Sequence, residues 1–362
     1  MLMQKQSKQN FFEGQNIFVG LDVHAKQWHV YASPESGLGM RPVCMPPNAE
    51  ALHSYLESHF PGGEYYSAYE SGFCGFSKHR DLINLGIHNI VFNAADLKTS
   101  NKERVRKTDA VDCKAIWENL SKGDLKPLYV PTETQEEDRE LVRGREMYSK
   151  DSRRTKQRIK MFLHKLDAPL PTELSKAQSS WSTAYVSWLH EYSETLNGGN
   201  RTKLTSLLLT LAHMEERITE YEKQMYEAAS ARHSEMFSLL ITIPGIGKLS
   251  SAKICLELMD FSRFANDRHL AGYIGLVPDC RSSDTREVIL GTSARRNKIL
   301  KTTLIEAAWR AIGKDPVLGS TYAKAVRRGQ HPNVAITSIA RRLVNRIFYV
   351  HRTRKAYVIG TK

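Results

Sequence analysis

The run Ile17-Phe-Val-Gly-Leu-Asp-Val-His24 constrains this chain more than any other stretch. Ile17, Phe18, Val19, Leu21 and Val23 leave no polar side for a surface strand, so the run predicts a strand covered on both faces of a sheet. Ala25-Lys26 turns it back into a second strand over Gln27-Trp-His-Val-Tyr-Ala32. Asp22 is the lone carboxylate of the first strand. A charge in such a place is costly without a partner, and a divalent cation is the usual one for a carboxylate. The plainer reading makes Asp22 a strand-end acid that helps the turn. Acids further along decide between the two.

Met40 to Met45 reads as a third strand, ended by Pro46-Pro47. Asn48 caps a helix running to about Phe60, with Ala51, Leu52, Tyr55 and Leu56 on one face. Glu64 to Glu70 is the fourth strand, Gly72 to Leu85 a helix stopped by Gly86, His88 to Asn93 the fifth strand, and Asp109 to Leu120 a further helix. That order predicts an α/β domain with an RNase H-like sheet: three antiparallel strands, then strands joined through helices. On this template Asp22 and Glu70 end neighbouring strands, while Asp109 and Asp112, three apart, share a helix face. Four carboxylates at one sheet end repel each other, and a Mg²⁺ pair is held well by them. Paired ions can align the attacking and leaving oxygens of a phosphodiester. Singly, Asp109 and Asp112 read equally as acids at the positive end of a helix, and Glu70 as a surface acid.

The charge is unevenly placed. The 362 residues carry a net +13, yet Arg286 to Lys362 alone holds 17 Lys and Arg against 3 acids. A second concentration, Arg139 to Lys165, has 10 against 3. Localised positive charge predicts a polyanion partner, nucleic acid before an anionic membrane surface. The five cysteines are scattered without a Cys-x-x-Cys pair, which argues for reduced thiols and against a zinc site. No apolar run approaches 18 residues, and Met1 to Asn16 lacks the apolar core of a signal peptide, so a cytoplasmic protein without a membrane span is expected.

Beyond Pro131, Gln135 to about Leu166 is helical and charged, and Pro169-Leu-Pro171 breaks it. Four heptads follow Asn197-Gly-Gly-Asn200, with Leu204, Leu211, Ile218 and Met225 at one position and Leu207, Met214, Tyr221 and Ala228 at the other. The seam predicts a coiled coil between copies or a long helical hairpin within one chain. The basic face of the preceding helix reads either as a phosphate contact or as solvated surface. Ile243-Pro-Gly-Ile-Gly-Lys248 resembles a helix-hairpin-helix connection, with Gly245 and Gly247 in the turn, phosphate received at the next helix start, and Lys248 and Lys253 adding charge. The alternative is a mere helix–helix turn. Gly275 to Asp284 reads as a loop of small polar residues, followed by Arg286, Arg295, Arg296 and Lys298, with Arg281 inside it. A serine hydroxyl among these arginines has what attack on phosphorus requires. Structural serines are nevertheless the commoner case. Helices over about Ala294–Ile312, Ser320–Arg328 and Asn333–Val350 pair apolar faces with basic ones.

Taken as an ordered set, Gly20-Leu-Asp-Val-His24 with Lys26, Tyr69-Glu-Ser-Gly72, Lys107-Thr-Asp-Ala-Val-Asp112, Ile243-Pro-Gly-Ile-Gly247, Gly275-Leu-Val-Pro278 through Ser283, and the run to Leu304-Ile-Glu-Ala-Ala308 resemble the DEDD transposases of bacterial insertion sequences, relatives of the Piv invertase and known as bridge-RNA-guided recombinases. The resemblance implies a disordered tail (1–16), a RuvC-like domain (17–130), a helical coiled-coil linker (131–235) and a mainly helical C-terminal transposase domain (236–362). It implies Asp22, Glu70, Asp109 and Asp112 as Mg²⁺-binding acids and Ser283 as the nucleophile that becomes linked to DNA. It also implies a noncoding guide RNA that pairs with donor and target DNA; holding two DNAs at once implies a homodimer or homotetramer. The family serine is usually followed by glycine, where this chain has Asp284; Ser282 is the competing nucleophile, and spacing from Pro278 favours Ser283. The rival functions are a metal-dependent junction nuclease with a structural serine, and an inactive RNA- or DNA-binding scaffold.

Overall fold

The computed structural model describes residues 11–35, 40–97, 109–283, 286–292 and 296–359, and the chain divides into two compact units, Met1–Pro131 and Thr132–Lys362. In the first unit the elements are β1 (Asn16–Val23), β2 (Trp28–Pro34), β3 (Val43–Met45), α1 (Ala49–His59), β4 (Glu64–Glu70), α2 (Ser77–Asn84), β5 (His88–Phe92) and α3 (Asp109–Ser121). The sheet order is β3-β2-β1-β4-β5, with β1–β2 and β2–β3 antiparallel and β1–β4 and β4–β5 parallel. This is the expected RNase H-like arrangement. Residues 1–10 of the expected tail lie outside the described residues; residues 11–16 lead into β1, and Phe12 sets its ring edge against Phe60 at 5.3 Å. The helix expected from Gly72 begins at Ser77, because the chain turns first.

Strand alternation sorts β1 into two faces. Ile17, Val19 and Leu21 are fully buried in a core with Leu52, Leu56 and Phe60 of the α1 segment. The other face carries Phe18, Gly20 and Asp22, and there α3 lies directly on the strand. A Cβ on Gly20 would stand 2.0 Å from the carbonyl oxygen of Cys113 and 2.6 Å from the amide nitrogen of Trp117. Only a residue without a side chain permits backbone this close. Trp117 locks the contact: its Nε1 donates to the carbonyl of Ser33 at 3.1 Å and its ring meets Tyr31 edge-on at 5.1 Å.

The second unit is helical apart from one hairpin. Its elements are α4 (Glu133–Lys165), α5 (Ser175–Ser180), α6 (Thr183–Thr195), α7 (Gly198–Arg232), α8 (Ser234–Ile241), α9 (Lys248–Leu258), α10 (Asp267–Ile274), β6 (Pro278–Ser283), β7 (Arg286–Thr292), α11 (Lys298–Ala311), α12 (Pro316–Arg327) and α13 (Pro332–Thr353). Thr132 and Gln135 cap α4 reciprocally. The heptad seam is filled within the chain: α4 and α7 run antiparallel, with Asp138 bonded to Arg232, Arg145 to Glu222, and Ser152 to Glu215. Leu204, Leu211, Met225 and Ala228 are buried as the heptads require, and so are Leu208 and Ala229, because a straight helix drifts against a 3.5-residue repeat. Val142, Met225 and Ala229 share one core with Phe237, Leu240 and Leu304, so packing continues across residue 235.

Two expectations are corrected in this unit. The stretch expected as a loop from Gly275 forms the antiparallel hairpin β6–β7, with Arg281 opposite Val288, Ser282 opposite Glu287 and Ser283 opposite Arg286. The small polar residues of β6 hide a strand that the β-branched run of β7 recruits as partner. The helix expected from Ala294 starts at Lys298, where the Asn297 side chain accepts from the amide of Leu300. Among the described residues no helix is long and apolar enough to cross a membrane.

Replacing Gly20 with alanine forces α3 off β1. Overpacking against fixed backbone destabilises by about 1–3 kcal/mol, so urea denaturation should show the first unit unfolding at lower denaturant. An unchanged midpoint would mean that α3 is not anchored at this contact.

Candidate metal centre and nucleic-acid interface

β1 and β4 run parallel, so Asp22 and Glu70 come to the same edge of the sheet, Glu70 one residue past the Leu21–Tyr69 pair. The N-terminus of α3 is brought there by the Gly20 contact. Asp22, His24 and Asp109 place one ligand atom each within 4.8 Å of one another. His24 Nε2 donates to Asp22 Oδ2 at 3.1 Å and lies 3.9 Å from Asp109 Oδ1. His29, the cross-strand partner of Asp22, contacts Asp109 Oδ2 at 3.1 Å through its Nε2, and the Gln27 amide lies 3.0 Å from that nitrogen. Two acids expected together from the sequence are therefore adjacent, and two histidines join them.

The other two acids lie close by in the fold but outside this group. Asp112 is partly buried in the first turn of α3, and Glu70 is exposed at the end of β4. Asp22 and Asp112 are both felt at Cys113: burial pushes its thiol up to about 12, and the charges of Asp22 and then Asp112 push the same way. Two carboxylate oxygens and an imidazole nitrogen are a donor set that a divalent cation can take. His29 holds the outer oxygen of Asp109, the kind of contact that orients a metal-ligating carboxylate. The histidines were legible: positions 22 and 24 share a strand face, and the tight turn carries position 29 back beside 22.

The residues expected to touch nucleic acid fall in four places. Gly245 lies in the connection between α8 and α9 at φ +92, and a Cβ there would sit 2.2 Å from the carbonyl oxygen of Ala307. Packing on α11 is thus enough to require this glycine. Gly247 precedes α9 with open space around it, and the Lys248 ammonium lies 4.3 Å from the Tyr226 ring centre. Lys253 corrects its expectation: it is buried and paired with Glu146 Oε1 at 2.6 Å, so its charge is spent inside the protein. Arg281 and Arg286 lie in the hairpin, Arg286 opposite Ser283. Arg296 is exposed and packs its stem over Gly275, and Lys298 is the exposed first residue of α11. Arg295 and Asp284 lie outside the described residues.

Part of the basic face of α4 is likewise turned inward. Arg139 and Arg143 bond the buried Glu257 at 3.2 and 3.4 Å, Arg145 bonds Glu222 at 2.7 Å, and Lys156 pairs with Glu215 at 2.8 Å. Asn297 also donates to Glu257, at 3.2 Å, tying the start of α11 to this cluster. Burial raises the Glu146 carboxyl, but the Lys253 hydrogen bond and the charges of Lys253 and Arg145 outweigh it and hold it below the ordinary range.

Comparison with known proteins agrees with both halves of the chain. A family model of the DEDD IS110 type, described as a transposase, matches residues 19–166, and one described as the IS116/IS110/IS902 transposase family matches residues 237–323. The chain is 26% identical over 312 residues to the putative transposase y4qE of Sinorhizobium fredii, covering 79% of this chain and 75% of that protein. It is 25% identical over 294 residues to the transposase for insertion sequence element IS1111A of Coxiella burnetii, covering 79% and 78%. A pilin gene-inverting protein of Moraxella bovis is 24% identical over 152 residues, 41% of this chain and 47% of that one. The chain belongs to the IS110/IS902 family of DEDD-type transposases.

Two outcomes follow. Titration calorimetry with Mn²⁺ or Mg²⁺ should show Asp22→Asn and Asp109→Asn each weakening binding at least tenfold, with His29→Ala weakening it about tenfold as an orienting residue; equal affinity in all three would remove the site. Lys253→Met, which removes one of the two cations of Glu146 and leaves Arg145 as the other at 3.1 Å, should destabilise the helical unit, by less than the ~3–5 kcal/mol of a wholly stranded buried charge at neutral pH. Because the Glu146 pKa is depressed on folding, its stabilisation is complete above the unfolded value near ~4.3 and is lost as pH falls through the folded value. Melting curves across acid pH should therefore be flatter for the variant.

Proposed function

We propose that this transposase cuts and rejoins DNA through a phosphoserine intermediate, assisted by Mg²⁺ held at the Asp22–Asp109 edge of the sheet. The observation that carries the reading is the meeting of carboxylates from β1 and α3 at one sheet edge, in a chain whose two halves both match the transposase family. Asp22 and Asp109 would bind the ion, with Asp112 and Glu70 completing its oxygen environment and His29 orienting Asp109. The bound ion supplies charge for the oxygens of a reacting phosphodiester.

Ser283 attacks a backbone phosphorus through Oγ. One phosphoester bond forms as the bond to the departing strand end breaks; the serine proton leaves to a carboxylate, and the departing oxygen is protonated. Arg281 and Arg286 stabilise the charge on the phosphoryl oxygens. The number of phosphodiester-type bonds is unchanged, so strands can be exchanged and resealed without ATP. The resemblance adds a guide RNA that pairs with donor and target DNA, and an oligomer, dimer or tetramer, able to hold both. Gly245, Gly247, Lys248, Arg295, Arg296 and Lys298 would contact phosphate backbones.

A suicide DNA substrate with Mg²⁺ should trap wild-type protein as a covalent adduct on denaturing gels. Ser283→Ala should abolish it and Asp22→Asn should reduce it at least a hundredfold. If Ser283→Ala still nicks DNA at the wild-type rate and no adduct forms in either protein, the chain is a metal-dependent nuclease. Recombination of a plasmid pair with and without the noncoding transcript of the same element tests the guide.

A further inference from the structure

The far end of the α4–α7 hairpin is a small body with a core of its own. Ile159, Phe162 and Leu163 of α4 pack with Tyr185 and Leu189 of α6 and Leu204, Leu208 and Leu211 of α7. None of the chemistry above uses it. A groove of about 380 Å³ opens between α4 and α7 at this end. Phe162 and Leu207 form its floor and Met161, 58% exposed, its lip. Arg158 and Lys165 line it from α4 and Lys203 from α7. The Lys203 ammonium lies 4.5 Å from the Phe162 ring centre, and no lining residue is acidic.

The charge here differs in kind from that of the rest of α4. Arg139, Arg143, Arg145 and Lys156 are neutralised by Glu257, Glu222 and Glu215. Arg158, Lys165 and Lys203 are exposed and have no acidic partner among the described residues. Lys150, Arg154, Arg158 and Lys165 recur at four-, four- and seven-residue intervals, which sets them along one helix face for roughly 22 Å. Toward the opposite end of the same hairpin a second groove is lined by Glu137, Glu140 and Glu220, with Arg217 as its one cation. The hairpin is thus electrically polar, with its positive end around an apolar slot.

We propose that this groove is a docking site for single-stranded DNA, holding one base against Phe162, Met161 and Leu207 while Arg158, Lys165 and Lys203 hold the flanking phosphates. Cations alone would suit any polyanion. The apolar floor narrows the choice: a duplex keeps its bases stacked inside and offers such a slot nothing, whereas a single strand offers both a flat apolar face and its phosphates. Strand exchange by a DNA transposase exposes single strands, and the inference rests on that reading of the chain.

The test is fluorescence anisotropy of the full-length protein with a labelled oligothymidylate, without Mg²⁺, over a range of salt. The triple variant Arg158→Glu, Lys165→Glu and Lys203→Glu should bind at least tenfold more weakly and lower the slope of log K against log salt by about 2, at roughly 0.7 per phosphate contact for single strands. Met161→Ser should weaken binding severalfold with the slope unchanged. A charge-matched control, Lys122→Glu, Lys126→Glu and Lys223→Glu, should change little. Equal losses in the two triple variants, no change with Met161→Ser, equally strong loss with duplex DNA, or tighter wild-type binding to oligouridylate would each overturn the proposal. A failed adduct assay with wild-type protein whose oligothymidylate binding is intact would count against the proposed chemistry and leave this groove standing.

Discussion

The first unit depends on backbone meeting backbone at Gly20. Strand and helix approach so closely there that the Cys113 carbonyl occupies the space of a missing Cβ. The consequence is metric. Two residues along a strand advance about 6.6 Å, and one helical turn about 5.4 Å. Going from Gly20 to Asp22 therefore matches going back one turn from Cys113 to Asp109, and the two carboxylates arrive together. A bulkier residue at position 20 would lift the helix and open the cluster without touching any acid. The geometry of the site is thus set by a residue that has no chemistry of its own.

The second unit depends on charges that face inward. Glu257 is buried and receives two arginines of α4 and the amide of Asn297, while Lys253 and Glu146 pair across α4 and α9. Removing one member of such a buried set strands the others, which ties the hairpin to the helices that carry β6 and β7. It also changes what the net charge of +13 means. Arg139, Arg143, Arg145 and Lys156 of α4 are paired with acids inside the unit, and the part left for a polyanion lies on its outer face and toward its end. The C-terminal third keeps a larger share outward, as Arg296, Lys298, Arg310, Arg327, Arg328, Arg341 and Arg342 are not deeply buried.

Relatives near 25% identity cover more than three quarters of this chain, so most side chains differ between them and it. Asp22 and Asp109 meet at one end of the sheet, and Ser283 lies opposite Arg286 in the β6–β7 hairpin. The α4–α7 hairpin adds exposed surface, with cations at its far end that have no acidic partner among the described residues.

Local sequence determined a good deal here. The apolar run at Ile17 and the cap at Asn48 marked strands and helices, because strand alternation, capping and helix periodicity are short-range properties; the strand order and the meeting of the acids were expected only through the RNase H-like template that this succession of elements suggests. The heptads from Leu204 implied a long seam but left its occupant open; only packing decided that α4 fills it, since both occupants present the same apolar stripe. Likewise Lys253 and Lys248 look alike as letters, and tertiary structure alone made one a buried partner of Glu146 and left the other at the surface. The hairpin over Pro278–Thr292 was hidden because a strand of small polar residues carries no periodicity until a partner strand pairs with it. What sequence could settle were contacts within a turn or a strand; what needed the fold were contacts whose partners lie a hundred residues away, where neither spacing nor composition encodes distance.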